Sequence, residues 1–304
     1  MSAPDAIAER PASLWRDTLG NVFRQKSAII GATILVILVL MAVFAPVIAT
    51  HDPSRVLLGV EEGVTKRAAP CIHLFGCDAV QPEHYFGTDG NFRDVFSRVV
   101  FGARTSLVVG LVAVSFAIIV GTIIGAAAGY FPRADNPLMR IMDVLLSFPS
   151  LLLAILIVTA LGPGLVNALL AIGIVTTPIY ARIVRSSVLS TRENDYVTAS
   201  RALGESSRGI LFRRILPNSL TPLVVAGTLG IGTAVLEIAA LAFVGVTGDL
   251  TIPEWGSMIA IERNQLFQAP HIILAPGVAI TLTVLGFNLL GDGLRDALDP
   301  RLNR

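Results

Sequence analysis

The sequence predicts an all-α membrane protein with six transmembrane helices, and three observations lead there. The 304 residues are 53% hydrophobic and only 15% charged, against about 25% charged in a typical soluble domain. Apolar runs recur along the whole chain, close to the roughly 20 residues that cross about 30 Å of hydrocarbon. One polar, arginine-bearing stretch, DYVTASRALGESSRGILFRRILPN at 195–218, interrupts the apolar second half. The net charge of +1 supplies no basic field for nucleic acid.

Residues 1–27 form a polar N-terminal segment with Arg10, Arg16, Arg24 and Lys26. The apolar run 28–50 is too long for a signal-peptide core and reads as a retained first span. A polar loop fills 51–104 and contains both cysteines, Cys71 and Cys77. A disulfide suits an oxidising outside; free thiols, or a metal site with His73, are the other readings. Late in this loop Phe92, Val95, Phe96 and Val99 recur at helical spacing, with Arg93, Asp94 and Arg98 off that face. This spacing predicts an interfacial helix, or one packed against the rest of the loop.

A five-helix core is expected over 105–295. Residues 106–130 form the second span, where Gly121, Gly125 and Gly129 stand four apart and permit close helix approach. The third span is read at 145–161 and the fourth at 165–180, joined by a Leu-Gly-Pro-Gly turn. A polar loop at 186–218 follows, then a fifth span at 219–246 holding Glu237. Trp255, in the next loop, suits a membrane interface. The sixth span is 271–290, and 296–304 form a tail.

Six spans place both termini on one side. That side carries 16 of the 23 Lys and Arg residues. By the positive-inside tendency the termini and the 195–218 stretch are cytoplasmic, and the cysteine loop lies outside.

The 195–218 stretch reads as two helical pieces hinged at Gly204. Tyr196, Ala199, Ser200 and Leu203 share one face of the first. Leu211, Phe212, Ile215 and Leu216 form an apolar arc on the second, with Arg213 and Arg214 pointing away and Pro217 as the stop. Such a surface helix pair is built to touch a partner.

Catalytic signatures are missing. There is no G-x-x-x-x-G-K-[ST], H-E-x-x-H or G-x-S-x-G pattern. His51, His73, His84 and His271 suggest no metal constellation, so neither enzyme activity nor a resident cofactor or metal is expected. Uphill transport would then need an ion-coupling group, for which Glu237 is the intramembrane candidate, or a partner that supplies force. A scaffold without transport is a third class.

Several motifs together resemble one family. Phe-Gly-Thr-Asp at 86–89, Asp-Val-Phe-Ser-Arg at 94–98, Gly-Ala-Arg-Thr-Ser-Leu at 102–107, Ser-Phe-Pro-Ser-Leu-Leu-Leu-Ala at 147–154 and Pro-Glu-Trp-Gly-Ser-Met at 253–258 occur in order. With the small residues before Gly204 and the later Ile-Leu-Pro, they resemble permease subunits of dipeptide, oligopeptide and nickel ABC importers over about residues 20–302. The resemblance implies a coupling helix contacting an ATPase through Tyr196, Ala199, Arg201, Ala202, Leu203, Gly204 and Glu205. It also implies that Pro253 to Met258, including Pro253, Glu254, Trp255 and Gly256, and the helix-like run on to Gln268 form a surface facing an extracytoplasmic substrate-binding protein. The further partners implied are a second, related permease chain, two ATP-binding subunits that hold ATP and Mg, membrane lipid, and a peptide or similar small solute. The setting is a bacterial or archaeal inner (plasma) membrane. Thr198 stands where the family has glutamate, Ser200 replaces the second alanine, and Gly245-Val246-Thr247-Gly248 alters a Gly-Leu-Gly run. An acidic residue at Glu237 fits the family pattern.

Overall fold

The computed structural model describes residues 25–78, 80–248 and 251–298. The basic N-terminal residues before 25 and most of the tail lie outside them. All regular elements among the described residues are helical. Helix α1 is Lys26–Val43, followed by a short turn α2, Ala45–Ile48. The polar loop leads to α3, Val95–Tyr130, whose first turn is capped by Asp94 accepting from the Ser97 amide at 2.7 Å. Then come α4 (Pro132–Leu146), α5 (Ser150–Leu161) and α6 (Leu165–Arg192). The interruption contains α7 (Asp195–Ala202), α8 (Ser207–Gly209), a π-helical stretch Ile210–Ile215 and α9 (Leu216–Ser219). Helices α10 (Thr221–Val244), α11 (Trp255–Glu262) and α12 (Pro270–Leu298) complete the chain.

Five of these, α1, α3, α6, α10 and α12, are long and apolar enough to cross a membrane, and the pair α4–α5 makes a sixth if counted as one broken span. The outward side chains agree with a lipid setting: Ile37, Ile119, Ile123, Leu156 and Val278 are exposed. Lipid tails give helices no hydrophobic reason to associate, so close backbone approach between small residues carries the packing. The glycine series does this inside the subunit. A Cβ on Gly121 would sit 2.8 Å from the Tyr180 Cβ, and one on Gly129 would sit 2.9 Å from the Arg185 carbonyl, both on α6. Helix α1 meets α12 the same way, a Cβ on Gly31 falling 2.6 Å from the Leu290 amide nitrogen.

The structure revises four expectations. The interfacial helix is the opening of α3 itself; Arg93, Asp94 and Arg98, read as pointing off its apolar face, are buried against the folded loop. The third span is half-length: α5 has 12 residues, about 18 Å at 1.5 Å per residue, and meets α4 at 95°. The Ser147-Phe148-Pro149 break explains the bend, because proline removes an amide donor and disfavours helix in the residue before it. The fourth span continues to Arg192, with Arg185 held by a two-pronged ion pair to Asp135 of α4 at 2.6 Å on one prong. Finally, Pro217 does not end its helix: the backbone stays helical from Ser207 through the π-helical stretch into α9, and the proline comes just after that stretch, behind Leu216.

Candidate partner-contact surfaces and the polar loop core

At one end of the bundle the interruption folds into a strap. Helix α7 is fastened by Val197, fully buried, while Tyr196, Thr198, Ala199, Arg201, Ala202 and Leu203 are exposed. Gly204 closes α7 with φ +81°, its amide donating to the Arg201 carbonyl at 3.1 Å and the Glu205 amide to the Ser200 carbonyl at 3.1 Å. This Schellman pattern needs a left-handed residue, which glycine adopts without strain. The second piece is anchored by Ile210, Leu211 and Ile215. Phe212, expected in the buried arc, points outward instead, because the π-helical turn shifts the register of that face. The pieces are latched together. Glu205 pairs with Arg214 at 3.1 Å, and the Tyr196 hydroxyl donates to the Arg214 carbonyl at 3.3 Å. What stays open is a small-residue face ending in Leu203, 89% exposed.

At the opposite end the 253–256 motif is buried rather than displayed. Glu254 caps α11, accepting from the Gly256 and Ser257 amides at 2.8 and 2.7 Å. Trp255 is 0% exposed and donates from Nε1 to the Val99 carbonyl at 2.9 Å. A Cβ on Gly256 would run into the Ala239 backbone. Only Pro253 is partly open. These residues dock α11 onto α3 and α10, so Glu254, Trp255 and Gly256 are enclosed by protein and are not the exposed part of the expected 253–268 surface. The open apolar residues of this segment are Leu266 and Phe267, the latter 96% exposed.

The loop between α2 and α3 has a polar core beside this segment. Glu262 accepts from Arg67 Nε at 2.8 Å and from the Gly90 amide at 2.6 Å. Asp89 accepts from Arg93 Nε at 2.7 Å, and Arg98 donates to the Pro53 carbonyl at 2.9 Å. Cys71 and Cys77 are joined as a disulfide with Cα atoms 5.4 Å apart.

Two of the four histidines, unpromising in the sequence, do converge. Ligand atoms of His51, His84 and Asp94 fall within 4.8 Å of one another. His84 Nδ1 meets Asp94 at 2.9 Å and its Nε2 lies 3.3 Å from Glu61; His51 Nε2 meets the same Glu61 carboxylate at 2.9 Å. Burial works against charge on His84 and on Asp94. The Asp94 hydrogen bond and the two carboxylates nevertheless raise His84 above its ordinary range, and His84 with Ser97 lowers Asp94 below its own. No local spacing could reveal this cluster, since it joins residues 51, 61, 84 and 94 through the fold of the loop. His73 is elsewhere, its ring bonded to the Gln81 carbonyl at 2.8 Å.

Glu237, on α10, is half-buried, with Oε2 shielded and without a hydrogen-bond partner. Ser150, at the start of α5, and Tyr180 of α6 are its polar neighbours.

Residues 96–304 match the family described as binding-protein-dependent transport system inner membrane component, and 13–69 match the N-terminal TM domain of oligopeptide transport permease C. The dipeptide transport system permease protein DppC of Alkalihalophilus pseudofirmus is 46% identical over 99% of this chain and 94% of its own length. The di/tripeptide permease DppC of Pseudomonas aeruginosa is 43% identical over 99% and 96%. The glutathione permease GsiD of Escherichia coli is 38% identical over 98% and 93%. Among solved structures, an inward-facing form of the MetNI methionine ABC transporter aligns with TM-score 0.56 at 21% identity, covering 66% of this chain and 97% of that one. By the family match over residues 96–304 and its full-length likeness to permease subunits, the chain belongs to the inner membrane components of binding-protein-dependent transport systems.

Proposed function

We propose that this chain is a permease subunit moving di- or oligopeptides inward, energised by ATP hydrolysed in two partner ATP-binding subunits. The observation that carries the proposal is the open α7 face, an amphipathic surface helix with its anchor buried and a bare leucine at its end. A helix seated in a partner's groove transmits displacement as a rigid unit. The Glu205–Arg214 and Tyr196–Arg214 contacts make the strap one body, so a push on α7 reaches α10 through α9. ATP and Mg belong to the partners, and a second, related permease chain completes the pathway.

The excess of Lys and Arg on the side of the termini supports a cytoplasmic strap, and the disulfide supports an outer position for the 51–94 loop. The extracytoplasmic binding protein then meets the open segment around Leu266 and Phe267. Peptide as the solute rests on the names of the relatives. Family membership leaves the ion-coupled alternative through Glu237 without support.

Single-cysteine cross-linking in the assembled complex tests the two contacts. Leu203→Cys should cross-link to an ATP-binding subunit and Phe267→Cys to the binding protein. The reverse pattern, or cross-links from neither, refutes the reading.

A further inference from the structure

We propose that the loop core holds a divalent transition-metal ion of the zinc class, with His51 and His84 as nitrogen ligands, Glu61 as the oxygen ligand and Asp94 as the carboxylate that orients His84. The argument begins with Asp94. It is fully buried and fixed as the cap of α3, accepting from the Ser97 amide at 2.7 Å. A carboxylate so placed accepts a hydrogen bond from His84 Nδ1–H at 2.9 Å. With Nδ1 engaged in this way, His84 turns Nε2 toward Glu61. That atom is buried without a hydrogen-bond partner, in a residue 2% exposed, and it faces Glu61 Oε2, which is also buried and unpartnered, at 3.3 Å. Glu61 can only accept there, so a positive charge belongs between the two atoms: a proton on His84 Nε2, or a metal ion that displaces it.

His51 enters from the other side. Its Nδ1 is held by the Thr50 hydroxyl at 2.9 Å and its Nε2 is directed to Glu61 Oε1 at 2.9 Å. The two rings stand 5.0 Å apart. A metal-bound histidine characteristically gives its second ring N–H to a carboxylate or similar acceptor, as His84 does to Asp94. Two imidazoles and one carboxylate form a borderline ligand set suited to zinc, with a fourth position left for water. The ligands come from the end of the first span, the loop turn at 61 and the strand-like pairing at 84. A bound ion would therefore clamp the loop onto the head of α3, beside the disulfide that holds 71–77.

The test uses the full-length chain, purified on a histidine-free tag, stripped with chelator and titrated with Zn2+, then with Co2+ as a spectroscopic probe. One equivalent should bind saturably, Co2+ should give the intense visible bands of a low-coordinate nitrogen–oxygen site, and Zn2+ should raise the thermal transition. Glu61→Gln and His51→Gln should abolish saturable binding, Asp94→Asn should weaken it by about 10–100-fold, and His73→Gln should bind as wild type. The wild-type chain failing to bind one equivalent overturns the proposal. So does unchanged binding in Glu61→Gln and His51→Gln, or loss in His73→Gln. An unchanged metal-free thermal transition in Glu61→Gln establishes that its loss of binding is not loss of fold; a collapsed transition in that variant transfers the test to His51→Gln.

Discussion

Glu205 and Arg214 meet at 3.1 Å across the turn made by Gly204, closing the strap into a single body. The pair is partly exposed, so its stabilisation is small. Its importance is geometric, since it fixes the angle between α7 and the segment leading to α10. Leu203 lies just before this turn, and nothing among the described residues covers it.

The Trp255 anchor should be structural. Trp255→Ala removes a fully buried indole and leaves the Val99 carbonyl without its donor. A loss of about 3–5 kcal/mol is expected, read as a lowered thermal transition of the purified chain. Phe267→Ala should leave that transition unchanged and reduce uptake that depends on the binding protein.

Glycine 121 should tolerate no larger residue. Gly121→Val drives a side chain into Tyr180, whose Cβ would be 2.8 Å from even the first added carbon. Overpacking of this kind costs about 1–3 kcal/mol, and thermal unfolding in detergent measures it. Gly204→Asn should be mild by comparison, because a Cβ there meets nothing within 4 Å and asparagine accepts positive φ.

Glutamate 262 should be needed for loop attachment. Glu262→Ala strands the Arg67 guanidinium and the Gly90 amide together. Breaking a buried pair costs about 3–5 kcal/mol, and the low end applies because Arg67 is partly open. Faster amide hydrogen exchange across residues 62–70 and 86–94 checks it.

The cysteines should be closed. Thiol reagent added to non-reduced protein should modify neither Cys71 nor Cys77, and both should react after reduction, as read by intact mass. Labelling of both before reduction contradicts the disulfide.

Much of this architecture was legible from apolar runs alone, because spans of about 20 residues announce themselves. The boundaries that escaped have local causes. Helix α3 absorbs the expected interfacial helix because Asp94 caps it at the loop, and Arg98 is accepted inside by carbonyls the sequence does not place. The half-span α5 was hidden because hydropathy does not register a 95° bend. At the strap, the small-residue pattern around Gly204 indicated an open face and its turn, whereas the outward Phe212 depends on a π-turn with no sequence mark. At the other end, the expected 253–268 surface is open toward Leu266 and Phe267 and closed at its head, because Glu254 and Trp255 cap and dock α11, a burial no local spacing marks. The His51–His84 cluster joins residues with no shared period.

The most direct test of the account is ATP-driven peptide uptake by the reconstituted complex carrying Leu203→Asp. The substitution places a charge on the exposed end of α7, on a side chain that the described residues leave uncovered. Uptake should fall to background while the chain retains its thermal transition and its Zn2+ response. Uptake equal to wild type, with the variant fully incorporated, would contradict the claim that this face receives the force of ATP hydrolysis.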